Sequence, residues 1–384
     1  MKKISITIIA VLLIPVILYL INPKLIYPLT DKTASFVPLQ QVPRGLASLK
    51  AEDCGHCHRE IYHEWQGSLH AKAIDDPFFK AYHRKDDEDP TCLICHSPLQ
   101  NQSPVILSSP SGHYDDLQIL DNPDFDPELQ REGVTCSACH VRDGVVYGPY
   151  PAESMNAPHP VAYDEQFLKP DLCNRCHEVP SKAFSLMDAG VCSTGEEFSE
   201  GPWPERGYTC QHCHMPEITR PLVEGFPPRQ GRQHLWPGGY SAAQLARAFS
   251  FDARQQDDQL IINITNTGAG HKVPTGDPDR FMLLEFLWRD DNGHEQRLHQ
   301  VKFKRQIVWQ PIMFVWSDNR LAPDERLTLS GRMPDIPGEL LVRADYHVMT
   351  ERQLQRLKER FGLQNPWPIQ ITFLDSTPIP VSRQ

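Results

Sequence analysis

Ten of the eleven cysteines stand in five pairs, and each pair has two residues between its members and a histidine directly after it. The pairs are Cys54 and Cys57, Cys92 and Cys95, Cys136 and Cys139, Cys173 and Cys176, and Cys210 and Cys213. The histidines that follow them are His58, His96, His140, His177 and His214. Thiolate sulfur and imidazole nitrogen both bind soft and borderline metals, so this pattern predicts five repeats of a metal-binding unit.

The CxxCH spacing is typical of covalent haem attachment. Two thiols add to the two vinyl groups of the porphyrin, and the next side chain reaches the iron from the same turn of backbone. Zinc ribbons place their pairs about 15–20 residues apart, whereas successive pairs here start 38, 44, 37 and 37 residues apart. A disulfide scaffold needs no histidine at a fixed offset. The sequence therefore predicts five covalently bound haem c groups, each with iron.

Twelve of the seventeen histidines remain as candidates for the opposite face of each iron. The run from Arg59 to Ala73 consists mostly of good helix formers, which predicts a helix there. On such a helix His63 lies about 7.5 Å and His70 about 18 Å beyond His58, so neither shares its iron unless Gly67 breaks the helix sharply. If His70 binds iron, we expect that iron to belong to a neighbouring haem.

Two further candidates follow the last motif. His234 lies in the irregular segment GRQHLWPGGY, and His271 lies in TGAGHKVPTGD. Glycine and proline around a single histidine suggest a tight turn that presents the imidazole, although a plain β-turn explains the glycines equally well. The fifth distal position stays open, and the candidates for it are His63, His83, His113, His347, Met155, Met187 and Met215.

The remaining reactive side chains have simpler interpretations. His56 and His212 lie inside their CxxCH loops, and His294 and His299 flank a turn, so we expect all four to face solvent. Cys192 is left without a partner, and a buried free thiol is expected there, with intermolecular pairing or contact with a haem edge as alternatives.

A family resemblance extends over about residues 50–240. The run IYHEWQGSLHAKA, followed by DPTCLICHSPL, EGVTCSACHVRDGVVYGP, NAPHPV, DLCNRCHEVP and TCQHCHMP, resembles the multihaem cytochrome c-554 family, whose haem modules also occur in hydroxylamine oxidoreductase-like enzymes. The resemblance implies that His70 and His159 are distal haem ligands, against the alternatives of an exposed helix residue and a loop residue. The GHxxPTG loop around His271 is similar to loops in multihaem cytochromes that carry a C-terminal β domain. In the resembled family one haem can lack a sixth protein ligand.

The N-terminus has the features of a membrane anchor. Lys2 and Lys3 precede an apolar run from Ile4 to Ile21, whose eighteen residues span roughly 27 Å as a helix, close to the thickness of a bilayer core. No small-residue cleavage site follows it, so residues 1–22 are predicted to be an uncleaved, single-pass signal anchor in the inner membrane. The rest of the chain is then periplasmic. Residues 23–49 are predicted to be an extended linker, with an arm packed on the domain as the alternative.

The chain changes character near Phe249. Alternation in Gln259–Thr265, an apolar run in Phe281–Trp288 and a turn signal at 291–293 predict strands. Further strands are predicted at 307–309, 312–316, 340–348 and 369–374, and a helix at 351–361 with Gly362 as its C-cap. The fold class is therefore α+β, with a loop- and helix-rich multihaem domain at 50–246 and an antiparallel β-sandwich at 247–384.

Composition and motifs together predict an electron carrier. A net charge of −11 argues against nucleic acid, and 35 prolines indicate long loops. Irons that are fully ligated by protein exchange electrons but do not bind substrate, so the expected partners are redox proteins or membrane quinol. The alternative is a reductase or oxidase of a small nitrogen compound, such as nitrite or hydroxylamine, at one five-coordinate haem. A third possibility is a haem-stabilised binding or sensing module.

Overall fold

The structure is a computed structural model that describes residues 13–14, 35–108, 117–150, 157–179, 192–308 and 314–383. The predicted membrane helix at 1–22 lies almost wholly outside this part of the chain, and so do three candidate ligands, His113, Met155 and Met187. Among the residues described, no helix is both long enough and apolar enough to cross a membrane.

The first domain consists of short helices joined by loops. Its α-helices are Ala51–Gly55, Arg59–Gly67, Pro77–Lys85, Leu93–His96, Pro127–Gln130, Cys136–His140, Asp171–His177, Thr194–Ser199, Cys210–His214 and Ala242–Ala246, and its 3-10 turns are Pro90–Cys92, Gln100–Gln102 and Glu165–Leu168. The start of Pro77–Lys85 shows the local cause, because Asp76 accepts hydrogen bonds from the backbone N–H groups of Phe78 and Phe79 and Pro77 stands in the first turn.

Three small sheets complete the first domain. β1 (Val105–Ser108) pairs with β2 (Gln118–Asp121), and β6 (Glu217–Pro221) pairs with β7 (Pro228–Arg232). β3 (Val141–Arg142), β4 (Val145–Gly148) and β5 (Val161–Tyr163) form the third sheet. The buried apolar clusters around them are small, as expected of a domain in which attached groups fill much of the interior.

Residues 35–49 lie against the first domain. Phe36 and Val37 are buried, and Val37 forms a β-bridge with Leu99. The backbone N–H of Gln40 donates to the side-chain oxygen of Asn101 at 2.8 Å. For this part of the predicted linker, the packed arm is the better description.

The second domain has two sheets with a shared core. The five-stranded sheet has the order β12-β11-β10-β14-β15, and the four-stranded sheet has the order β13-β9-β8-β16. The strands are β8 (Phe249–Gln256), β9 (Gln259–Asn266), β10 (Phe281–Asp290), β11 (Glu295–Val308), β12 (Phe314–Asp318), β13 (Arg326–Arg332), β14 (Gly338–His347), β15 (Gln370–Ile379) and β16 (Val381–Arg383). Alternate side chains of β10 and β9, including Leu284, Phe286, Ile262 and Ile264, meet in the core.

Most of the predicted elements of this domain are present. β9, β10 and the turn between β10 and β11 lie where the sequence predicted them, and the helix Glu351–Phe361 is bounded by a capping box of Thr350 and Gln353 and by Gly362 in the left-handed conformation. Neighbouring strands are antiparallel except β16 and β8, which are parallel. The predicted α+β class is confirmed.

The helix predicted from Arg59 to Ala73 is too long. It ends at Gly67, and Ser68 has extended backbone with ψ 164°. The Ser68 hydroxyl donates to the Trp65 carbonyl at 2.6 Å, and the Trp65 indole N–H donates to the Val134 carbonyl at 2.8 Å. The local Ser68 bond closes the end of the helix, and the tertiary indole bond holds that end near Val134, so residues 68–73 leave the helix despite their helix propensity.

Candidate haem-binding sites

Each attachment motif occupies about one helical turn. In the second to fifth motifs a helix ends at the motif histidine, namely at His96, His140, His177 and His214. The two cysteines of a motif stand three residues apart, so both thiols lie on one side of the turn. The sequence therefore presents two thiols and one imidazole from a single short backbone segment, as covalent haem attachment requires.

Cysteines of different motifs lie near one another. The thiols of Cys54 and Cys136, of Cys95 and Cys176, and of Cys173 and Cys210 are close enough to shift each other's pKa. The motif helices Ala51–Gly55 and Cys136–His140 also pack together, and so do Leu93–His96 and Asp171–His177. The first motif is therefore adjacent to the third, and the fourth is adjacent to both the second and the fifth.

Four motif imidazoles are oriented by backbone carbonyls. Nδ1 lies 3.1 Å from the Leu222 oxygen in His58, 2.8 Å from the Ala73 oxygen in His96, 2.7 Å from the Tyr147 oxygen in His140, and 2.8 Å from the Pro237 oxygen in His214. A carbonyl only accepts, so Nδ1–H is the donor and Nε2 keeps its lone pair. This arrangement leaves Nε2 as the metal-binding atom and fixes the ring.

Three motif imidazoles face another imidazole at nearly the same separation. The ring centroids are 6.2 Å apart for His177 and His70, 6.2 Å apart for His140 and His234, and 6.3 Å apart for His214 and His271. Two imidazoles on opposite sides of one metal, each bound at about 2 Å, have centroids roughly 6.3 Å apart. The three separations therefore suit one iron between each pair.

The paired histidines are held neutral. Burial, followed by the nearby charge of His177, lowers the pKa of His70 to about 3. Burial is also the main cause that lowers the pKa of His177, His234 and His271 to about 4. Burial lowers the pKa of His58, His96, His140 and His214 as well. Neutral imidazole is the form that binds metal, so these sites suit iron ligation at neutral pH.

The loop that carries His70 is fixed by residues before the third motif. The Val134 N–H donates to the His70 carbonyl at 2.9 Å. Gly133 has φ +61°, and a Cβ there would come within 2.7 Å of the same carbonyl oxygen. A glycine is therefore required where this loop meets the third motif.

His234 is positioned by a half-buried ion pair. Glu64, on the helix Arg59–Gly67, accepts from both terminal nitrogens of Arg220 at 2.7 Å. The same carboxylate accepts the backbone N–H of His234 at 2.9 Å. Nδ1 of His234 lies 3.1 Å from the Arg232 carbonyl oxygen. The first motif's following helix thus orients a histidine that faces the third motif.

His271 reaches the first domain from the second. The Asn266 side-chain amide donates to the His271 carbonyl at 3.0 Å, and the His271 Nδ1–H donates to the Lys272 carbonyl at 2.9 Å. A Cβ on Gly268 would collide with the Arg247 carbonyl, and a Cβ on Gly270 would lie 2.9 Å from the Phe198 ring. Gly268 is therefore explained by close packing against the start of the second domain and Gly270 by close packing against the first, rather than by the turn alone.

An ion-pair network holds the same loop. Arg320 lies 2.7 Å from Glu197 and donates to Asp318 and to the Pro274 carbonyl. Lys272 lies 3.1 Å from Asp318. Burial acts to raise the pKa of Asp318, but hydrogen bonds from Arg320 and the charges of Arg320 and Lys272 outweigh it and lower that pKa to about 2.

His159 and the second motif differ from these pairs. His159 is close enough to His58 to contribute to the lowered pKa of His58, and a Cβ on Gly45 would collide with the Pro158 carbonyl beside it.

At the second motif, the ring of His96 is stacked on Phe79, with centroids 3.7 Å apart, and Phe79 is stacked on His83 with centroids 5.3 Å apart. A cavity of about 470 Å³ adjoins this stack and is lined in part by Phe79, His83 and Leu93.

The other candidates have separate positions. His56 and His63 are exposed, His212 accepts the Thr209 N–H at 2.9 Å, and His347 is stacked on Phe281 with centroids 4.4 Å apart. Met215 directly follows the last motif, and its carbonyl accepts from Arg232. Cys192 is a half-buried free thiol that donates to the His177 carbonyl at 3.3 Å.

Four residues that position the histidines were not singled out from the sequence, because their roles depend on contacts between distant segments. They are Glu64, Arg220, Trp236 and Arg320.

Comparisons with known proteins find a likeness to multihaem cytochromes c. Residues 53–119 match the family model described as cytochrome c554 and c-prime. A penta-heme cytochrome c552 from Thermochromatium tepidum is 21% identical, with a TM-score of 0.59 over 88% of this chain and 100% of that chain. A superoxide reductase from Nanoarchaeum equitans is 10% identical, with a TM-score of 0.18 over 29% of this chain and 85% of that chain, which is too slight a likeness for inference. No curated protein is a significant match. The family match and the shared fold confirm the predicted resemblance to the multihaem cytochromes c.

Proposed function

We propose that the protein is an electron-transferring multihaem cytochrome c with five haem c groups, most of them bound by two histidines. The three imidazole pairs with centroids 6.2–6.3 Å apart carry this proposal. In it, the ten motif cysteines bind the porphyrins covalently and the five motif histidines are the proximal ligands. His70, His234 and His271 are the distal ligands opposite His177, His140 and His214, and His159 serves the first motif.

Haem c, when bound, supplies a one-electron couple whose potential depends on its axial ligands. The protein's own residues set the conditions for it. Buried, neutral imidazoles with Nδ1–H bonded to carbonyls are strong ligands that favour low potentials. Two histidine ligands on one iron would leave no position for a substrate, and the cysteines would hold the porphyrin in place.

The contacts between motifs support an order for the electron path. Packing of their helices links the first motif to the third and the second to the fourth, and the proximity of Cys173 to Cys210 links the fourth to the fifth. The third and fourth motifs are linked through the indole of Trp236, which contacts both His234 and His70. We propose a path from the first through the third to the fourth, with branches to the second and the fifth.

We also propose that the protein is anchored in the inner membrane and faces the periplasm. The apolar run from Ile4 to Ile21 after Lys2 and Lys3 supports a single-pass anchor in the inner membrane, with both domains in the periplasm. Redox proteins or membrane quinol are then the expected electron donors and acceptors. A net charge of −11 favours a partner with a basic docking face.

Electron paramagnetic resonance of the oxidised, haem-loaded protein tests the carrier function. Irons with two imidazole ligands are low-spin, so low-spin signals should account for at least four of the five irons. A spectrum dominated by high-spin iron would refute the carrier function.

The second motif favours a second candidate function, reduction or oxidation of a small nitrogen compound. Phe79 packs on the face of the His96 ring, and a cavity of about 470 Å³ lies beside that stack. Among the described residues, no second histidine ring pairs with His96 at the 6.2–6.3 Å found at three other motifs, so an iron held there would keep one position open to a small ligand. His83, 5.3 Å from Phe79, is the nearby candidate proton donor.

Ligand binding separates the two functions. Carbon monoxide, nitrite or hydroxylamine should change the reduced visible spectrum of one haem in five if this second function exists. An unchanged spectrum with all three compounds would exclude it and leave the carrier function intact.

A further inference from the structure

One short segment, Arg232–Pro237, passes three of the proposed iron sites. At its start, the Arg232 carbonyl accepts Nδ1–H of His234, which faces the third-motif His140. At its end, the Pro237 carbonyl accepts Nδ1–H of the fifth-motif His214 at 2.8 Å. Between them stands Trp236, which touches histidines of two different pairs.

The Trp236 indole contacts one ring of each of two imidazole pairs. Its centroid lies 4.5 Å from that of His70 with planes at 66°, and 5.2 Å from that of His234 with planes at 84°. Both contacts are edge-to-face, the orientation that aromatic rings prefer. His70 faces His177 and His234 faces His140, so the indole touches a proposed distal ligand of both the fourth and the third motif.

The backbone at Trp236 is bent in a way that large side chains disfavour. Its φ is +42°, in the left-handed region that a Cβ makes costly, and Pro237 follows directly. Strained residues persist where surrounding contacts determine them, and they concentrate at functional sites. Here the indole is kept between the two histidines although glycine would fit the backbone more easily.

We infer that Trp236 is a positioning residue shared by the third and fourth iron sites. Its edge-to-face contacts fix the ring orientations of His70 and His234 together, so a change at Trp236 alters two irons rather than one. This inference rests on the proposed function, because it takes both histidines as iron ligands. It adds that one residue couples the two iron sites, which the ligand roles alone do not require.

The direct test removes the indole and keeps the bend. Glycine adopts φ +42° without steric cost, so Trp236→Gly leaves the backbone path possible. In the oxidised, haem-loaded protein, two of the low-spin signals should change together, and the same two midpoint potentials should shift in a redox titration. The signals and potentials of the other irons should stay as in the wild type. If no signal changes, or only one, the inference is overturned.

Reference variants identify the two signals. His70→Met and His234→Met should each alter one signal and raise one midpoint potential, because methionine ligands raise haem potentials. If neither variant alters a signal, the ligand roles fail, and the proposed function fails with them. If each alters its own signal while Trp236→Gly alters neither, the ligand roles stand and only the shared role of Trp236 falls.

Three further variants guard against misfolding and non-specific effects. Trp236→Leu keeps apolar bulk without an aromatic edge and should change the same two signals, whereas Trp236→Phe should restore them towards the wild type. Unchanged signals in Trp236→Leu would contradict the inference even if Trp236→Gly fails to fold. Trp316, which is 70% exposed on β12, gives the matched control, and Trp316→Gly should leave every low-spin signal unchanged.

Discussion

Nη2 of Arg320 lies 2.7 Å from Oε1 of Glu197, and the two side chains are only 3% and 7% exposed. Arg320 belongs to the β-sandwich, and Glu197 lies on the helix Thr194–Ser199 of the first domain. The pair therefore fastens the second domain to the first beside the loop that carries His271. The β-sandwich is in this sense part of the proposed fifth haem site.

Arg320→Met should be strongly destabilising. It removes the cation 2.7 Å from the buried Glu197 carboxylate and a donor to the Pro274 carbonyl. Breaking a buried ion pair from one side typically costs about 3–5 kcal/mol. Denaturant unfolding of the haem-loaded protein measures this loss in the free energy of unfolding. Arg289→Met is the matched control, because the Arg289–Glu339 pair is half-exposed and should contribute about 0–1 kcal/mol. Similar losses in both variants would contradict this account.

Glu64→Ala should disturb the third site more than its neighbour Glu60→Ala. The Glu64 carboxylate accepts both from Arg220 and from the His234 backbone, whereas Glu60 is 69% exposed and lies 3.4 Å from the same arginine. Loss of the inner carboxylate should cost about 1–3 kcal/mol and alter the low-spin signal assigned to His140 and His234. Equal effects of the two alanine variants on that signal would show that Glu64 does not position His234.

Glycine replacements around His271 should separate packing from turn geometry. Gly268→Ala places a methyl group against the Arg247 carbonyl, a backbone atom that does not move aside. We expect a loss of at least about 1–3 kcal/mol and a displaced His271 ligand. Gly238→Ala is the control, since no atom lies within 4 Å of the added Cβ. A fully ligated fifth haem in Gly268→Ala would refute the close packing.

Asp318 should make stability depend on acidic pH. Its folded pKa of about 2 lies below the usual 3.8, so the unfolded chain takes up the proton more readily. The stabilisation is therefore complete above about pH 4 and is lost as the pH falls through 2. In Asp318→Asn, the difference in unfolding free energy from the wild type should shrink across this window. A difference that stays constant from pH 5 to pH 2 would contradict the lowered pKa.

The sequence predicts best where the chemistry is local. A CxxCH motif carries its own attachment residues on one turn, and Thr350, Gln353 and Gly362 mark both ends of a helix without help from elsewhere. His70 shows where prediction from local sequence fails. An ideal helix to Ala73 would place His70 about 18 Å beyond His58. The helix instead ends at Gly67, where Ser68 and Trp65 form their hydrogen bonds. Which histidine His70 faces depends on contacts more than a hundred residues away in sequence, and its ligand role stays a prediction.

The strands of the second domain show the same difference between elements marked by local sequence and elements fixed by distant contacts. β9 and β10 were predicted from their apolar patterns, while β8, β13 and most of the fourteen-residue β11 were not. β11 carries charged and polar side chains along much of its length, and pairing with β10 and β12 fixes it as a strand. Pairing of this kind depends on neighbours rather than on local composition.

A crystal structure of the haem-loaded protein tests the central claim most directly, because it assigns every iron to its ligands. We expect one iron between Nε2 atoms of His177 and His70, one between those of His140 and His234, and one between those of His214 and His271. Water or another side chain opposite His177, His140 or His214 would contradict the paired-histidine arrangement.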